Sequence, residues 1–369
     1  MKKMVSIGFI SLVLLTGCWD QRQFKDVKIV QSTAFDAAGD KILDTVAVPA
    51  VRRAGEGAGE QTEQIVDAVG TTPRDARDKI DAKLSNFFDP AKIEVVLIGE
   101  DLAKKDIYPV LDIYYRNPRS NLTAQLAIVE GKAADALALE TDRETLISKY
   151  LKGLLESAHV TSHTPGENIQ LVCAEMFEEG EDFSLPLLAA DHEKGIIQFK
   201  GLALFSERAF SGVKLSMEQS VLLMVMEDKL SKYGRVTKKI SDKEKEEILN
   251  YVTIGIDKVD RKLKIDPVKK KVTIDVKLKA EVLEYPKNHL ETEKEVKRLN
   301  KKLSELLTKD AEEVISLLKE ANSDVFGIGR RTKAYHYKEW KKMDPKKVFK
   351  EMDVVPTFTV EITRHGIIN

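Results

Sequence analysis

The stretch from Lys271 to Leu283 alternates between polar and apolar residues almost without a break. Successive side chains of an extended chain point to opposite faces, so this pattern predicts a strand with one face on a core and the other in water. The inward residues would be Val272, Ile274, Val276 and Leu278. A sheet of this kind needs a covering layer on one side only, which limits the folds open to the chain.

A long helical repeat follows the alternating strand. Between Leu290 and Ala321 apolar residues recur at spacings of three and four, which predicts a helix with one apolar seam. The charges beside the seam follow no regular coiled-coil scheme, which favours packing on a core over a coiled coil. Together with βαβ alternation over Ile93–Glu130, this predicts an α+β fold with mixed and antiparallel sheets and packed helices.

Other segments carry clear starts and stops. Lys28–Phe35 and Lys41–Val48 predict two strands around a turn, and Arg52–Gln64, with three glycines in five residues, predicts a mobile surface loop. Thr72-Pro73 predicts a helix start. The elements predicted in the second half are strands at Gly195–Phe205, Tyr251–Asp257, Leu263–Asp266 and Val354–Arg364, and an apolar helix at Met217–Leu230.

With 369 residues, the chain is long enough for two or three domains. We expect an N-terminal α/β region at residues 18–195 and a C-terminal α+β region at residues 196–369, one of which subdivides. Lys and Arg number 59 against 60 Asp and Glu. Because nucleic-acid binding needs a basic footprint, this balance disfavours nucleic acid as a partner.

The first seventeen residues have the build of an export signal. Lys2 and Lys3 precede an apolar run from Met4 to Leu15, which is shorter than the roughly 20 residues of a membrane-spanning helix. Leu15-Thr16-Gly17-Cys18 then matches a bacterial lipoprotein signal, in which the Cys18 sulfur receives a diacylglyceryl group and cleavage follows Gly17. A plain signal peptide, or an apolar first helix of a cytosolic chain, is the alternative.

Lipidation at Cys18 has consequences for location. Two acyl chains anchor a protein stably, where one binds only marginally. We therefore expect the mature chain on the outer face of a membrane, held by lipid through Cys18. Removal of residues 1–17 removes two positive charges and no acid, which takes the net charge from −1 to −3. This average predicts no basic patch for lipid headgroups.

Cys173 is the second and last cysteine. Once Cys18 is modified, Cys173 has no partner for an intrachain disulfide. We expect a buried, inert thiol. A catalytic thiol is the alternative, although no cysteine-protease signature surrounds it.

Two further groups of residues resemble ligand sites. His159 and His163 lie four apart, with Glu156, Glu167 and Cys173 nearby. However, ESAHVTSHTPGE suits a polar loop, and paired ligands at this spacing need a helix. We therefore expect no metal site. Gly327-Ile-Gly329-Arg-Arg331 offers amides and charge to an anion, yet a turn after the long helix is the expected reading because no phosphate loop follows.

Signs of catalysis are absent from the sequence. It contains no GxSxG nucleophile turn, and no pair of carboxylates stands out as sharing an environment. The pattern predicts binding or assembly, with neither enzymatic activity nor a cofactor. A solute-binding lipoprotein that binds a nutrient directly and a cell-envelope hydrolase are the alternatives.

Four stretches together resemble the Ger(x)C family, the lipoprotein C subunits of nutrient germinant receptors in bacterial spores. Each is loose alone, but they run in family order and span essentially the whole mature chain. Gln23 stands where the family usually carries an acid, so no charge contact is carried over from that position. The stretches are GCWDQRQFKDVKIV, VVLIGEDLAKKDIYPVLDIYYRNP, FKGLALFSERAFSGVKLS, and the tail from DVFGIGRR through Lys338-Glu339-Trp340 to VEITRHGII.

The resemblance implies three α/β domains and a place on the outer face of the spore inner membrane. It also implies assembly with an integral membrane A subunit and a transporter-like B subunit. No enzymatic activity or established ligand site is implied, so Cys18 is the one functional residue carried over, and direct small-molecule binding stays open. We expect Trp19 and Phe24 near the membrane or docked on a partner, with packing of Trp19 on the first domain as the alternative.

Overall fold

The computed structural model describes residues 27–52, 60–85, 87–140, 146–288, 290 and 292–365. The predictions for Cys18, Trp19, Gln23 and Phe24 lie outside these residues. Within them the chain builds two large sheets with helices packed against both. This confirms the predicted α+β fold with mixed and antiparallel sheets.

The first half forms an eight-stranded mixed sheet. Its strands have the spatial order β10-β9-β8-β7-β6-β2-β3-β4, with parallel strands at the centre and antiparallel strands at both edges. Strands β1 and β5 form a separate parallel pair. The strands are β1 (Val27–Ile29), β2 (Ser32–Ala38), β3 (Lys41–Arg52), β4 (Glu60–Gly70), β5 (Phe87–Asp89), β6 (Val95–Gly99), β7 (Gln125–Val129), β8 (Ser184–Asp191), β9 (Ile196–Ser206) and β10 (Ala209–Leu215).

Helices cover both faces of this sheet. They are α1 (Pro73–Asp81), α2 (Glu100–Ala103), α3 (Tyr108–Arg116), α4 (Ala133–Leu137), α5 (Ile147–Val160) and α6 (Ile169–Phe177). One face packs on α1, α2, α3 and α6, and the other packs on α4 and α5. All of β6 is therefore buried, as expected for a central parallel strand. The predicted helix start is confirmed, because the Thr72 hydroxyl accepts a hydrogen bond from the Asp75 amide.

The predicted first hairpin forms, with two differences. Strands β2 and β3 pair around the turn, but the predicted strand Lys28–Phe35 divides because Val27–Ile29 pair with β5 instead. The predicted loop Arg52–Gln64 is too long. Strand β3 runs to Arg52 and β4 begins at Glu60, and residues 53–59 lie outside the described part.

A buried ion pair fixes α1 against β3. Arg77 Nε lies 3.2 Å from Asp44 Oδ2, and the two side chains are 4% and 0% exposed. The Thr33 hydroxyl donates to the other oxygen of Asp44, and Arg77 Nη2 donates to the Tyr114 hydroxyl. Burial raises the pKa of Asp44, and the nearby guanidinium acts in the opposite direction. Removal of one partner would therefore leave an uncompensated charge in the core.

Arg77→Met should lower the free energy of unfolding by about 3–5 kcal/mol, the usual effect of breaking a buried pair. Adding Asp44→Asn to Arg77→Met removes the lone charge and should recover part of that loss. Denaturant unfolding of both variants measures the difference. Equal losses in the single and the double variant would contradict a charge-based cause.

The second half forms a four-stranded sheet. Its spatial order is β11 (Gly234–Lys239), β12 (Tyr251–Asp266), β13 (Lys271–Glu284) and β14 (Asp353–Arg364). Its helices are α7 (Met217–Glu227), α8 (Glu293–Ala321), α9 (Ile328–Tyr335), α10 (Tyr337–Trp340) and α11 (Val348–Glu351). A 3₁₀ turn lies at Glu247–Asn250, and another lies in the first half at Pro90–Lys92. The alternation predicted for β13 is confirmed at its inward residues Val272, Ile274, Val276 and Leu278, which are buried, although Leu283 near its end is exposed.

Strand β12 is one continuous strand, so its prediction as two separate strands is wrong. The charged segment between them does not break the strand. It pairs with the equally polar outer positions of β13, with Lys258 opposite Lys279 and Lys262 opposite Asp275. A register shift near Ile256 marks a bulge at this point.

Helix α8 covers both a face and an edge of the second sheet. Its apolar seam, including Leu299, Leu303 and Leu307, packs in the core as predicted. Strand β14 pairs with β13 on one side, and polar side chains of α8 accept hydrogen bonds from its other edge. The pairs are Phe358 N to Thr308 Oγ1 (3.0 Å), Val360 N to Ser304 Oγ (2.9 Å) and Ile362 N to Asn300 Oδ1 (2.9 Å). The edge is thereby closed to other strands.

Strand β9 belongs to two cores at once. Ala203 and Phe205 lie in the core of the eight-stranded sheet, and Leu202 and Leu204 lie in the core of the second half. Because β9 alternates between the cores, the two halves share a strand as well as a boundary. Among the residues that the structure describes, none of the helices combines the length and the apolar character needed to span a bilayer.

Candidate functional site at the domain junction

The two halves meet at a second place, which we call the junction. It is formed by residues 178–183, between α6 and β8, and residues 322–331, which lead from α8 into α9. The Asp182 amide donates to the Asp324 carbonyl at 3.0 Å, and the Asp324 amide donates to Asp182 Oδ2 at 2.7 Å. The other Asp182 oxygen accepts the Glu207 amide. Reciprocal hydrogen bonds thus tie segments 142 residues apart.

The Asp324 carboxylate caps helix α9 from inside the protein. Its two oxygens accept the amides of Ile328 at 2.9 Å and Gly329 at 2.7 Å. Burial raises the pKa of Asp324 to about 7, and these two amide donors act in the opposite direction. The predicted turn after the long helix forms up to Gly327, at φ +60°, but the rest of the predicted stretch, Ile328–Arg331, already belongs to α9. The anion that its amides hold is the chain's own carboxylate.

Two glycines allow the segments to touch. The Gly180 carbonyl accepts the Arg330 amide at 2.8 Å, and Gly180 has φ +84°, a conformation that favours glycine. A Cβ placed on Gly329 would lie 2.7 Å from Gly180 Cα and 2.9 Å from its carbonyl oxygen. Both neighbours are backbone atoms, so a side chain at Gly329 would force the segments apart.

Gly329→Ala should therefore lower the free energy of unfolding by about 1–3 kcal/mol through overpacking. Gly153→Ala is a matched control, because Gly153 lies exposed within α5 and an added Cβ there meets open space. The free energy of unfolding of Gly153→Ala should rise by about 0.5–1 kcal/mol, because alanine has a higher helix propensity than glycine. Thermal or denaturant unfolding measures both, and an unchanged or stabilised Gly329→Ala variant would contradict the close contact.

Beside the junction, three carboxylates share one ammonium group. Lys229 Nζ lies 3.1 Å from Glu167, 3.3 Å from Glu227 and 3.6 Å from Glu175. Glu167 and Glu175 come from the N-terminal half, and Glu227 and Lys229 come from the end of α7. Within the part of the chain that the structure describes, a second oxygen of each carboxylate has no hydrogen-bond partner. The cluster thus joins both halves while leaving more negative than positive charge in a buried place.

The surroundings of this cluster alter how it binds protons. Burial, followed by the charge of Glu167, raises the pKa of Glu175 to about 8, and burial raises the pKa of Glu227 to about 7. Burial likewise raises the pKa of Asp182 to about 6. For Lys229 the three carboxylates outweigh burial and raise the pKa. Several junction groups therefore exchange protons near neutral pH.

Ion pairs and cavities flank the junction. Arg330 pairs with Glu181 at 3.0 Å, and Lys333 pairs with Glu179 at 3.0 Å. A cavity of about 350 Å³ lies on one side, lined in part by Phe177, Asn322 and Phe349. A second of about 360 Å³ lies beside the Lys229 cluster. The arrangement suits a joint whose strength responds to protons.

The raised pKa values determine whether the stability of the protein rises or falls with pH. A folded state that holds a proton more tightly than the unfolded chain loses stability as that proton is released. The contribution of Glu175 is therefore full below its ordinary pKa of 4.5 and is lost as the pH rises through about 8. Glu227 and Asp324 act in the same direction, up to about pH 7.

Glu175→Gln should flatten the decline in the free energy of unfolding between these pH values. One proton corresponds to a slope of at most about 1.4 kcal/mol per pH unit. Glu312→Gln, which makes the same charge change on the exposed face of α8, should keep the wild-type slope. The test is the free energy of unfolding measured by denaturant at several pH values. Equal slopes of this free energy against pH for the wild type and Glu175→Gln would contradict the role of Glu175.

Of the residues singled out from the sequence, Gly327–Arg331 lie in the junction and Glu167 lies in the Lys229 cluster, whereas the histidines lie elsewhere. His159 lies within α5, so the loop predicted from that residue starts later than expected, and its Nδ1 is 3.2 Å from the Thr164 carbonyl. His163 Nδ1 is 2.9 Å from the Thr161 hydroxyl. In the described part of the chain no three His, Cys, Asp or Glu side chains are grouped to hold a metal. Cys173, expected to be buried, is a half-buried free thiol on α6.

Sequence reasoning missed most of the junction. Gly327–Arg331 was singled out, but its partners Gly180 and Asp182 were not. Of the Lys229 cluster only Glu167 was named, as a neighbour of the two histidines. One local signal was present: Gly180 interrupts the acidic run Glu178–Asp182 directly after an apolar segment. An isolated glycine of this kind often marks a close backbone approach.

Two family profiles match the chain. The profile described as "Spore germination protein N-terminal domain" matches residues 20–190, and "Spore germination B3/ GerAC like, C-terminal" matches residues 200–366. The chain belongs to the Ger(x)C family of spore germination proteins. In this Ger(x)C protein, the second match begins within β9, the strand that both cores share. The junction therefore joins the two family domains.

Relatives of known name extend over the same length. The putative spore germination protein YfkR of Bacillus subtilis (strain 168) is 26% identical, covering 95% of this chain and 93% of the relative. Spore germination protein GerQC of Bacillus cereus is 25% identical, covering 100% and 99%. The crystal structure of the GerBC protein aligns with a TM-score of 0.54 at 16% identity, covering 90% of this Ger(x)C chain and 96% of that chain, which shows a shared fold.

Proposed function

We propose that this chain is the lipid-anchored C subunit of a nutrient germinant receptor and acts in spore germination. In this proposal Cys18 carries a diacylglyceryl group and holds the chain on the outer face of the spore inner membrane. There it assembles with the integral membrane A and B subunits. The observation that carries the proposal is the match of two spore germination family profiles over residues 20–190 and 200–366.

The architecture supports assembly over catalysis. The polar groups buried at the junction are used on each other: Asp324 caps α9, Asp182 binds two amides, and Lys229 is surrounded by carboxylates. Such groups make a joint between domains. A tethered joint of this kind needs only modest contacts to its partners, because the lipid raises the local concentration of the folded domains at the membrane.

Cys18→Ala should abolish lipid attachment and slow or abolish germination with at least one nutrient. Spores should still respond to triggers that act independently of nutrients. Cys173→Ala is the matched control, since it removes the other cysteine and leaves the anchor intact. The measurements are the mass of the N-terminal peptide and the fall in optical density of germinating spores.

Crosslinking in spore membranes tests the assembly. The wild-type chain should crosslink to integral membrane subunits encoded with it, and Cys18→Ala should lose those crosslinks. Normal responses of the Cys18→Ala spores to every nutrient, with no second copy of the gene present, would contradict the proposal. A nutrient that raises the melting temperature of the isolated chain would instead favour a solute-binding role, because a ligand of the native state stabilises it.

A further inference from the structure

The charge of this chain is unevenly distributed. Residues 328–350, which run from α9 to α11 and which we call the basic segment, contain nine Lys or Arg and two Asp or Glu. Their net charge is thus +7 in a chain whose total is −1. The average over the mature chain predicts no basic patch for lipid headgroups, but the acids that produce this average lie elsewhere in the sequence.

Half of this charge is not neutralised within the protein. Arg330, Lys333, Lys346 and Lys347 have carboxylate partners. By contrast, Lys338, Lys341, Lys342 and Lys350 are exposed, and within the described residues none of these four forms an ion pair. A cluster of unpaired ammonium groups produces a local positive potential that attracts an anionic surface.

Exposed aromatic rings lie among these lysines. Tyr335 is 79% exposed and Tyr337 is 55% exposed, and Lys341 Nζ lies 4.7 Å from the centre of the Tyr337 ring. Tyrosine beside lysine is the composition that proteins place at the interface between a bilayer and water. The surface thus combines unpaired ammonium groups with amphipathic rings, which suits a partner that is both anionic and partly apolar.

The scaffold holds these groups in fixed positions. Trp340, Val348 and Phe349 of the same segment are buried in the core of the second half. Lys319 of α8 donates to the carbonyls of Phe349 and Met352, and its ammonium lies over the Phe349 ring. The basic segment is therefore part of the folded domain, and its exposed side chains form a defined surface.

We propose that the basic segment docks on the anionic phospholipid headgroups of the membrane. The proposal rests on the proposed function for its setting, since the lipid on Cys18 would keep this surface near the bilayer. The nine residue steps from Cys18 to Val27 reach at most about 30 Å when extended. At such distances even a weak attraction becomes effective, because docking no longer needs a diffusional encounter.

Lysine content favours a membrane over a specific phosphate site. Seven of the nine basic residues are Lys, and the two arginines, which lie nearest the junction, are engaged there. Lysine is a compact, hydrated point charge suited to a diffuse anionic surface, whereas arginine suits forked recognition of single phosphates. A nucleic acid is the other polyanion that such a surface could contact, and the experiment separates the two.

The test uses the mature chain, residues 18–369, with Cys18→Ser so that no lipid contributes. Flotation with vesicles of phosphatidylcholine and phosphatidylglycerol in a three to one ratio should recover the chain, and pure phosphatidylcholine vesicles should not. Each Lys near an anionic surface raises the partition coefficient onto the vesicles about fivefold. A triple variant with Lys338→Gln, Lys341→Gln and Lys342→Gln should therefore bind the anionic vesicles about a hundredfold more weakly.

A matched control carries the same loss of charge elsewhere. Lys294, Lys301 and Lys309 are exposed on α8, and within the described residues none of them forms an ion pair. Their replacement by Gln should leave vesicle binding near the wild-type level. Raising the salt from about 0.1 M to about 1 M shortens the Debye length from about 10 Å to about 3 Å and should release the wild-type chain.

Three results would overturn the proposal. They are equal binding to neutral and anionic vesicles, equal losses in the two triple variants, and tighter salt-matched binding to a DNA duplex than to anionic vesicles. Because the assay omits the lipid, it is independent of the anchor. Failure of the proposed function would appear separately, as an unmodified N-terminal peptide or normal germination of Cys18→Ala spores.

Discussion

The two amides that close on the Asp324 carboxylate hold the junction in place. A helix N-terminus has unpaired amides, and here an acid buried between two domains satisfies them. Asp324 also exchanges hydrogen bonds with Asp182. One residue therefore positions three elements: the end of α8, the start of α9 and the segment that leads into β8. The Gly180–Gly329 contact depends on that placement, since only an accurate approach allows two backbones so close.

This constraint works together with the shared strand β9. A strand with one face in each core couples the two cores, because packed cores resist deformation. A displacement of one core therefore moves the strand and acts on the other core. The junction provides a second connection between the same two family domains, so relative motion must break buried polar contacts. Those contacts involve Asp182, Asp324 and Glu175, whose raised pKa values place proton exchange near neutrality. The coupling of the domains and its dependence on pH thus have one structural origin.

The sequence predicts what is set by local periodicity. Strand β13 and helix α8 are recovered nearly to their ends, because one face of each meets a core and the other meets water. Helix α6 and strand β8 were not predicted. Strand β8 lies between two neighbours in the sheet interior, where an alternating pattern disappears. Strand β12 appeared broken, since the cross-strand partners that accommodate its charged middle lie in β13 and not in its own sequence.

The junction was still less predictable. Asp182 and Asp324 are 142 residues apart, and neither belongs to a motif whose spacing implies the other. Gly327–Arg331 did carry a local signal for anion binding, but a sequence does not reveal whether the anion is a ligand or the protein's own carboxylate. The Lys229 cluster likewise gathers acids from two domains, none of which is unusual alone. Such sites arise from the topology, and their chemistry is visible only once the chain is folded.

A single lipid tether and a folded surface have different physical effects. In the proposed arrangement, a lipid on Cys18 would limit the distance of the chain from the membrane but would leave the orientation of the domains free. A second contact on the basic segment, fixed to the core by Trp340 and Phe349, would remove much of that freedom. In the proposed assembly, a particular face must be presented to the integral membrane subunits. Docking of the basic segment on the membrane would orient that face in advance, so less orientational entropy is lost when the partners bind. The buried polar groups of this protein hold its two domains together. A fold of this kind is suited to controlling the position and orientation of those domains relative to a partner.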